Sequence, residues 1–363
     1  MSNNYFIIPI FVPHLGCPYD CVFCNQIRIT GLSTNVTSED VERIIEEHLS
    51  TFPKNEIRIE VAFYGGSFTG IDESIQRELL SIPLKYKNRN KIHGIRLSTR
   101  PDYIDENILN LLKEYKVDTI ELGVQSLADD VLKKSGRGHN SKQVYEASQL
   151  IKNYGFNLGL QMMIGLIGDS MEKSIYTAKE FIKLEPYCVR IYPTLVIKDT
   201  YLEKLYEEQC YKPLSLDEAV NISRDLLMLF EFYNIHVIRV GLQPTENITL
   251  GKDVIAGPFH PSFRQLVESS IYRLILDKFL DDHKEITKNN IIKIEINRKN
   301  ISNIVGQKSS NKRYFIDKYK LKNIKIYERD IPLDDIILTI GNFDYTINKK
   351  SAIEKYLKDK SII

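Results

Sequence analysis

The sequence predicts an α/β protein, a partial (β/α)6-type TIM-like barrel followed by a small α+β C-terminal domain. Three observations predict it. Short β-rich runs alternate with helical-period stretches through the first 240 residues, with strand-to-strand spacings of about 30 residues that mark βαβ units and a parallel sheet. Residue types that carry chemistry follow nearly every predicted strand, as they do at the carboxyl ends of barrel strands. After about residue 283 the chain turns basic and rich in Ile and Asn.

Each element follows from its own pattern. The first run, Tyr5–Val12, is apolar, short and without a basic flank or small-residue cleavage site, so it reads as a buried strand and not an export signal. Further strands are expected at Ile57–Tyr64, Ile92–Ser98, Thr119–Val124, Asn157–Ile164, Cys188–Pro193 and His236–Val240. Amphipathic helices are expected at Ser38–Leu49, Ile75–Ile82, Asp105–Tyr115, Ser141–Tyr154, Met171–Lys183 and Leu216–Tyr233. In Asp105–Tyr115, Ile108, Leu111, Leu112 and Tyr115 repeat at helical spacing, and Asp105 stands at the N-cap.

The 363 residues carry 49 Lys+Arg against 48 Asp+Glu, a net charge of +1. That neutrality is a cancellation. Residues 284–329 hold 13 Lys/Arg and four Asp/Glu, an excess of +9, while residues 1–283 carry −7 and the tail −1. The expected domains are therefore 1–283, a mildly acidic barrel, and 284–363, a small basic domain. With 43% hydrophobic and 27% charged residues the composition is globular and excludes wholesale disorder. No apolar run approaches the roughly 20 residues that span a bilayer, which points to a cytoplasmic protein with no membrane partner.

Three of the five cysteines, Cys17, Cys21 and Cys24, fall on one loop just after the first strand. An odd total without an export signal argues for metal or redox chemistry over disulfides. A closed structural zinc site wants four ligands, and only His14 stands near enough in sequence to be a fourth. Three thiolates on a 4Fe–4S cluster instead leave one iron open to a small molecule, which suits catalysis.

The segment Cys17-Pro-Tyr-Asp-Cys21-Val-Phe23-Cys24, with an aromatic before the last Cys, resembles the radical S-adenosylmethionine (radical SAM) superfamily. So does Gly65-Gly66-Ser67, similar to the superfamily's glycine-rich turn, although Ser67 stands where an acidic residue is common. Ser98-Thr99-Arg100-Pro101-Asp102-Tyr103, Glu121-Leu-Gly123-Val-Gln125-Ser126, Arg137-Gly138-His139, Gln161-Met-Met-Ile-Gly165 and Arg190-Ile-Tyr192-Pro193 follow in order. Together they resemble the radical SAM domain of the Elongator catalytic subunit, a tRNA wobble-uridine modifying enzyme, over residues 10–240. The spacing between the first two cysteines is shorter here, and no glycine-rich acetyl-CoA loop follows residue 240, so the likeness is to a stand-alone bacterial type without acetyl transfer.

The resemblance implies a 4Fe–4S cluster on Cys17, Cys21 and Cys24, with S-adenosylmethionine as the second cofactor. It implies Phe23 against the adenine, Gly65, Gly66 and Ser67 at the amino group, and Ser98 near the ribose or amino acid portion. Gln125 and Gln161 would hold the ribose hydroxyls and Arg137 the carboxylate; Arg100 and Arg190 are equally suited to structural ion pairs. An electron donor of flavodoxin or ferredoxin type is implied. The expected function is modification of a nucleoside in tRNA or rRNA; the alternatives are radical chemistry on a small metabolite or peptide, or a non-catalytic iron–sulfur binding module. Cys188 is expected in the core and His260 in loop packing. The region Asn297–Tyr319, with Gly306-Gln307-Lys308-Ser309 between two short helices, bears a partial likeness to KH-type readers of single-stranded RNA. The basic stretch 284–329 is accordingly the expected RNA contact.

Overall fold

The computed structural model describes residues 5–12, 21–25, 28, 36–53, 57–242, 248–284 and 290–363. Cys17 and His14 lie outside the described residues, as do residues 243–247. The chain forms two compact units, Met1–Ser215 with Ile235–Phe259, and Leu216–Asn234 with His260–Ile363.

The first unit contains β1 (Tyr5–Val12), α1 (Ser38–Thr51), β2 (Arg58–Gly65), α2 (Glu73–Asn88), β3 (Gly94–Thr99), α3 (Glu106–Glu114), β4 (Thr119–Gln125), α4 (Asp129–Lys134), α5 (Ser141–Asn153), β5 (Asn157–Ile164), α6 (Met171–Lys183), β6 (Cys188–Pro193), β7 (Val196–Ile197), α7 (Tyr201–Glu207), β8 (Val237–Val240) and β9 (Val254–Ala256). Seven of its strands form one sheet in the order β1-β2-β3-β4-β5-β6-β8, every neighbouring pair parallel. A doubly wound sheet reverses its strand order at a switch point. None occurs here, so the sheet is the partial barrel that the sequence predicts.

Helix starts follow local chemistry. Asp105 accepts from the Ile108 amide at 2.8 Å, the predicted cap. Thr37 with Asp40, and Asn140 with Gln143, form reciprocal capping boxes. Helix α2 differs from expectation, since it runs through Pro83 to Asn88 although a proline ordinarily breaks a helix. Pro83 is buried there, and its apolar packing offsets the missing amide.

The strands' two faces differ. One carries Val61, Phe63, Ile95, Leu97, Ile120, Leu122, Leu158, Leu160, Val189 and Ile191, all buried; with buried Leu80, Leu109, Leu112, Val144 and Phe181 of the helices they make the core. The alternate positions, which are the inner face of a half barrel, carry Glu60, Tyr64, Arg96, Ser98, Glu121, Gln161, Arg190 and Tyr192.

The second unit contains α8 (Leu216–Phe232), α9 (Phe263–Asp282), β10 (Ile291–Ile296), α10 (Ile301–Val305), α11 (Ser310–Tyr319), β11 (Asn323–Glu328), β12 (Asp335–Ile340), β13 (Phe343–Asn348) and α12 (Lys349–Asp359). Its sheet has the order β11-β10-β12-β13, with β10 and β11 parallel and the other pairs antiparallel. The two expected short helices lie between β10 and β11, and the turn joining them has left-handed backbone at Gly306, Lys308 and Ser309. The unit takes in α8 and α9, which precede residue 284, because Asp225 of α8 accepts from the Tyr356 hydroxyl of α12 at 3.2 Å and Glu231 pairs with Lys349 at 2.9 Å.

Candidate functional site

The carboxyl ends of the first unit's strands gather the sequence-predicted residues. Cys21–Asn25 is anchored on both sides of Val22, whose amide donates to Ser135 O at 3.1 Å and whose carbonyl accepts from the Leu202 amide at 2.7 Å. Cys21 and Phe23 are buried in an apolar cluster with Val131, Leu166, Val196, Leu202 and Tyr211, with Cys24 packed against it. Phe23 thus serves at least as packing for the loop. Cys21, Cys24, Cys188 and Cys210 form no disulfide. Among the described residues no three His, Cys, Asp or Glu side chains make a metal-holding group.

Arg137 stands over this loop. It is 7% exposed; its Nη1 donates to Cys21 Sγ at 3.3 Å and its Nη2 to Gly123 O. Its Nε has no hydrogen-bond partner among the described residues. Such a donor costs free energy unless something occupies the space in front of it. Gly123 adjoins it: a Cβ there would come within 3.3 Å of Arg137 Nη2 and 3.2 Å of Gln125 Nε2. The glycine leaves a small cradle between these two polar groups.

Gln125 and Gln161, expected to share the ribose hydroxyls, meet: Gln161 Nε2 donates to Gln125 Oε1 at 3.1 Å. Gln125 has φ of 72°, uncommon for a residue with a side chain. Ser98 is half-buried, its hydroxyl 3.4 Å from Phe63 O. Gly65 ends β2 with φ of 106°, which a Cβ would not tolerate cheaply, and the Gly66 amide lies 3.4 Å from Val12 O. Ser67 is buried next to it.

Two predicted arginines take the structural option. Arg100 is locked to Asp102 through Nε at 2.9 Å and Nη2 at 3.0 Å. Arg190 Nε lies 2.5 Å from Glu121 Oε2. His260 accepts from the Ser262 amide at 3.0 Å, a local loop contact.

The match to known proteins is decisive for the family. The Radical SAM superfamily matches residues 11–180, and the Radical_SAM C-terminal domain matches residues 186–273. The chain belongs to the radical SAM superfamily. It is 29% identical over 237 residues to an uncharacterised protein of Methanocaldococcus jannaschii, covering 62% of this chain and 72% of that one. It is 30% identical over 179 residues to a tRNA uridine(34) acetyltransferase of Methanocaldococcus infernus, covering 47% of this chain and 33% of the relative. It is 35% identical over 151 residues to human Elongator complex protein 3, covering 40% and 28%. The chain thus spans about a third of these last two relatives. The solved structure of Methanocaldococcus infernus Elp3 superposes with a TM-score of 0.59 at 20% identity, covering 77% of this chain and 63% of that one, a likeness of fold.

The radical SAM barrel also gives roles to Glu60, Arg96 and Glu121, to which the motifs assign none, and joins them to Arg190. Beneath the strand ends runs a buried charged floor. Arg96 Nε donates to Glu60 Oε2 at 2.8 Å, its Nη1 to Glu121 Oε1 at 2.8 Å and its Nη2 to the Tyr5 hydroxyl at 2.7 Å. Arg190 closes the chain on Glu121, on the Tyr64 hydroxyl and on the Tyr192 hydroxyl at 3.2 Å. Two carboxylates and two guanidiniums balance, the condition for keeping charges in a low-dielectric interior. Burial opposes ionisation of Glu121, but Arg190 and Arg96 outweigh it and hold its carboxyl below the ordinary range. Gly159 makes room: a Cβ there would lie 2.8 Å from Glu121 Cγ and 3.2 Å from Cys188 Sγ. Burial first, then Glu121, pushes the Cys188 thiol up to about 12, so it stays neutral. The readable signal was the alternation Ile-Glu60-Val, Ile-Arg96-Leu, Ile-Glu121-Leu and Val-Arg190-Ile, a charge at inner-face parity in each strand.

Proposed function

We propose that this chain is a radical SAM enzyme that binds a 4Fe–4S cluster through Cys17, Cys21 and Cys24, cleaves S-adenosylmethionine reductively, and modifies a nucleoside in RNA. The observation that carries the chemistry is Arg137, which reaches the Cys21 sulfur with one nitrogen while its buried Nε has no hydrogen-bond partner among the described residues, beside the Gly123 cradle. These residues fit the group. The buried Cys21 offers a sulfur shielded from water by Phe23 and Leu166. A guanidinium beside it suits both anionic sulfur ligands and a carboxylate, which its planar fork can meet with two hydrogen bonds.

One-electron reduction of S-adenosylmethionine at such a cluster supplies a 5′-deoxyadenosyl radical, a strong abstractor of hydrogen atoms. The chain's own part is to bind, orient and exclude water. Gln125 and Gln161 present two amides from adjacent strands toward ribose hydroxyls, with Ser98 one strand further round. Gly65 and Gly66 let backbone approach the amino group closely, and Ser67 adds a hydroxyl to that turn. Phe23 supplies an apolar surface for the adenine. The Glu60–Arg96–Glu121–Arg190 floor ties β2, β3 and β4 together and reaches across β5 to β6, so the groups above it need no reorganisation on binding. A one-electron donor of flavodoxin or ferredoxin type completes the requirement.

The RNA substrate rests on the relatives named tRNA uridine(34) acetyltransferase and Elongator complex protein 3 and on the +9 stretch 284–329, where Lys308, Arg313, Lys320, Lys322 and Lys325 are exposed. Mass spectrometry of tRNA and rRNA nucleosides from cells with and without the gene tests it. A modified nucleoside that disappears with the gene is the expected result. Identical nucleoside profiles, together with no salt-dependent RNA binding by the purified protein, would overturn the RNA assignment and leave a small metabolite or peptide as substrate.

A further inference from the structure

Gln125 does not reach its place by ordinary strand geometry. In the β4–β5 ladder Gly123 pairs with Gln161, but Gln125 pairs with Met162, so Val124 is an extra residue that the ladder skips. Without this bulge Gln125 would stand one rung further on, against Met163. With it, and with the left-handed φ of 72° at Gln125, the amide comes back alongside Gln161. A bulge of this kind re-aims a side chain, and the strained residue persists only when its surroundings over-determine it.

The surroundings are specific. Gly123 O accepts from Arg137 Nη2, and Val124 O accepts from His139 Nε2 at 3.3 Å. The Arg137 carbonyl in turn accepts from Arg100 Nη2, and Arg100 is fixed by Asp102. Asp102 Oδ1 also lies 3.9 Å from His139 Nδ1. Successive carbonyls of the bulge are thus held from one side by a buried cluster that touches neither Gln125 nor Gln161 through its side chains' polar atoms.

We propose that His139, Arg100 and Asp102 are positioning residues, a clamp on the β4 bulge that sets the Gln125 amide for the nucleoside of S-adenosylmethionine. This rests on the reading of Gln125 as a cofactor contact. The clamp fixes which carbonyls of β4 are satisfied and therefore which φ Gln125 adopts. Loss of the His139 donor leaves the Val124 carbonyl buried without it and lets the strand relax toward regular pairing.

Equilibrium binding of S-adenosylmethionine to the anaerobically reconstituted full chain tests the clamp, with iron content and thermal midpoint measured in parallel. Gln125→Ala should weaken binding by about tenfold, the loss of one good hydrogen bond. His139→Ala should weaken it comparably at unchanged iron content, and His139→Gln, which keeps a donor, should recover most of the loss. The double variant His139→Ala/Gln125→Ala should be no weaker than either single one, because both remove the same interaction. If His139→Ala does not fold, Asp102→Asn takes its place in the same cycle. Additive losses in the double variant, or full affinity in both His139→Ala and Asp102→Asn, overturn the clamp while leaving Gln125 as a contact. Full affinity in Gln125→Ala overturns the contact reading, and the clamp's purpose with it.

Discussion

Histidine 139 gives the sharpest prediction, because its titration can be worked from its surroundings. Its side chain is buried; burial first, then the Arg137 and Arg100 charges, push its pKa down to about 3 from the ordinary 6.5. The imidazole is neutral, with Nε2–H donating to Val124 O and Nδ1 without a hydrogen-bond partner among the described residues. A depressed folded-state pKa contributes stability that is fully present above the unfolded value and is lost as pH falls toward the folded value. Each pH unit inside that window is worth about 1.4 kcal/mol. Between pH 7.5 and pH 5 the parent should therefore lose roughly 2 kcal/mol through this one residue. His139→Gln keeps a donor and cannot protonate, so it lacks that loss. Urea unfolding of parent and variant at both pH values isolates the residue, since every other titrating group cancels in the difference. The stability gap should move by roughly 2 kcal/mol in the variant's favour on going to pH 5. A gap equal at the two pH values would refute a buried neutral imidazole.

Further predictions follow from the rest of the site. Glu121→Gln removes one charge from the buried floor, leaving Arg190 without its carboxylate and Arg96 with Glu60 alone, a loss of about 3–5 kcal/mol, read as a lowered thermal midpoint; an unchanged midpoint would show the floor to be wet or rearranged. Cys21→Ala and Cys24→Ala should each abolish the brown absorbance of reconstituted protein, and full iron in both would remove the cluster assignment. Arg137→Lys keeps a charge but not the fork, so S-adenosylmethionine affinity should fall by about tenfold or more with the fold intact by circular dichroism. Charge reversal at Arg313, Lys320 and Lys322 should flatten the salt dependence of RNA binding, by about one unit of slope for each phosphate that is no longer neutralised; an unaltered slope places the RNA elsewhere on the chain.

The sheet was legible because local pattern and tertiary requirement agree. In β5, Asn157–Ile164, strand propensity, turn punctuation and burial all coincide, and the same holds at β6. Where one signal opposed another, the pattern broke off early. Pro83 ended the predicted helix at Ile82, although burial carries it on to Asn88. Helix α9, residues Phe263–Asp282, escaped notice because Arg and Asp interrupt its apolar stripe, and only the packed structure shows Val267, Ile271, Ile275 and Leu276 lining one side. At the site, motifs gave Ser98, Gln125 and Gln161 on β3, β4 and β5 and Arg137 on the loop between α4 and α5. They did not give the charged floor, since a buried Glu or Arg has meaning only with its partner, and Glu60 and Glu121 find theirs on other strands. Nor did spacing reveal the β4 bulge, which is a matter of register between two strands and leaves no mark in either one alone.

Whether these strand ends carry radical SAM chemistry is tested most directly by anaerobic incubation of the reconstituted full chain with S-adenosylmethionine and dithionite. Mass spectrometry then quantifies 5′-deoxyadenosine and methionine. Both products are expected from the parent and neither from Cys21→Ala or Cys24→Ala. Protein with an intact cluster that yields no 5′-deoxyadenosine, under conditions where S-adenosylmethionine is shown to be bound, would contradict the proposed chemistry. The chain would then be an iron–sulfur binding protein without this catalysis.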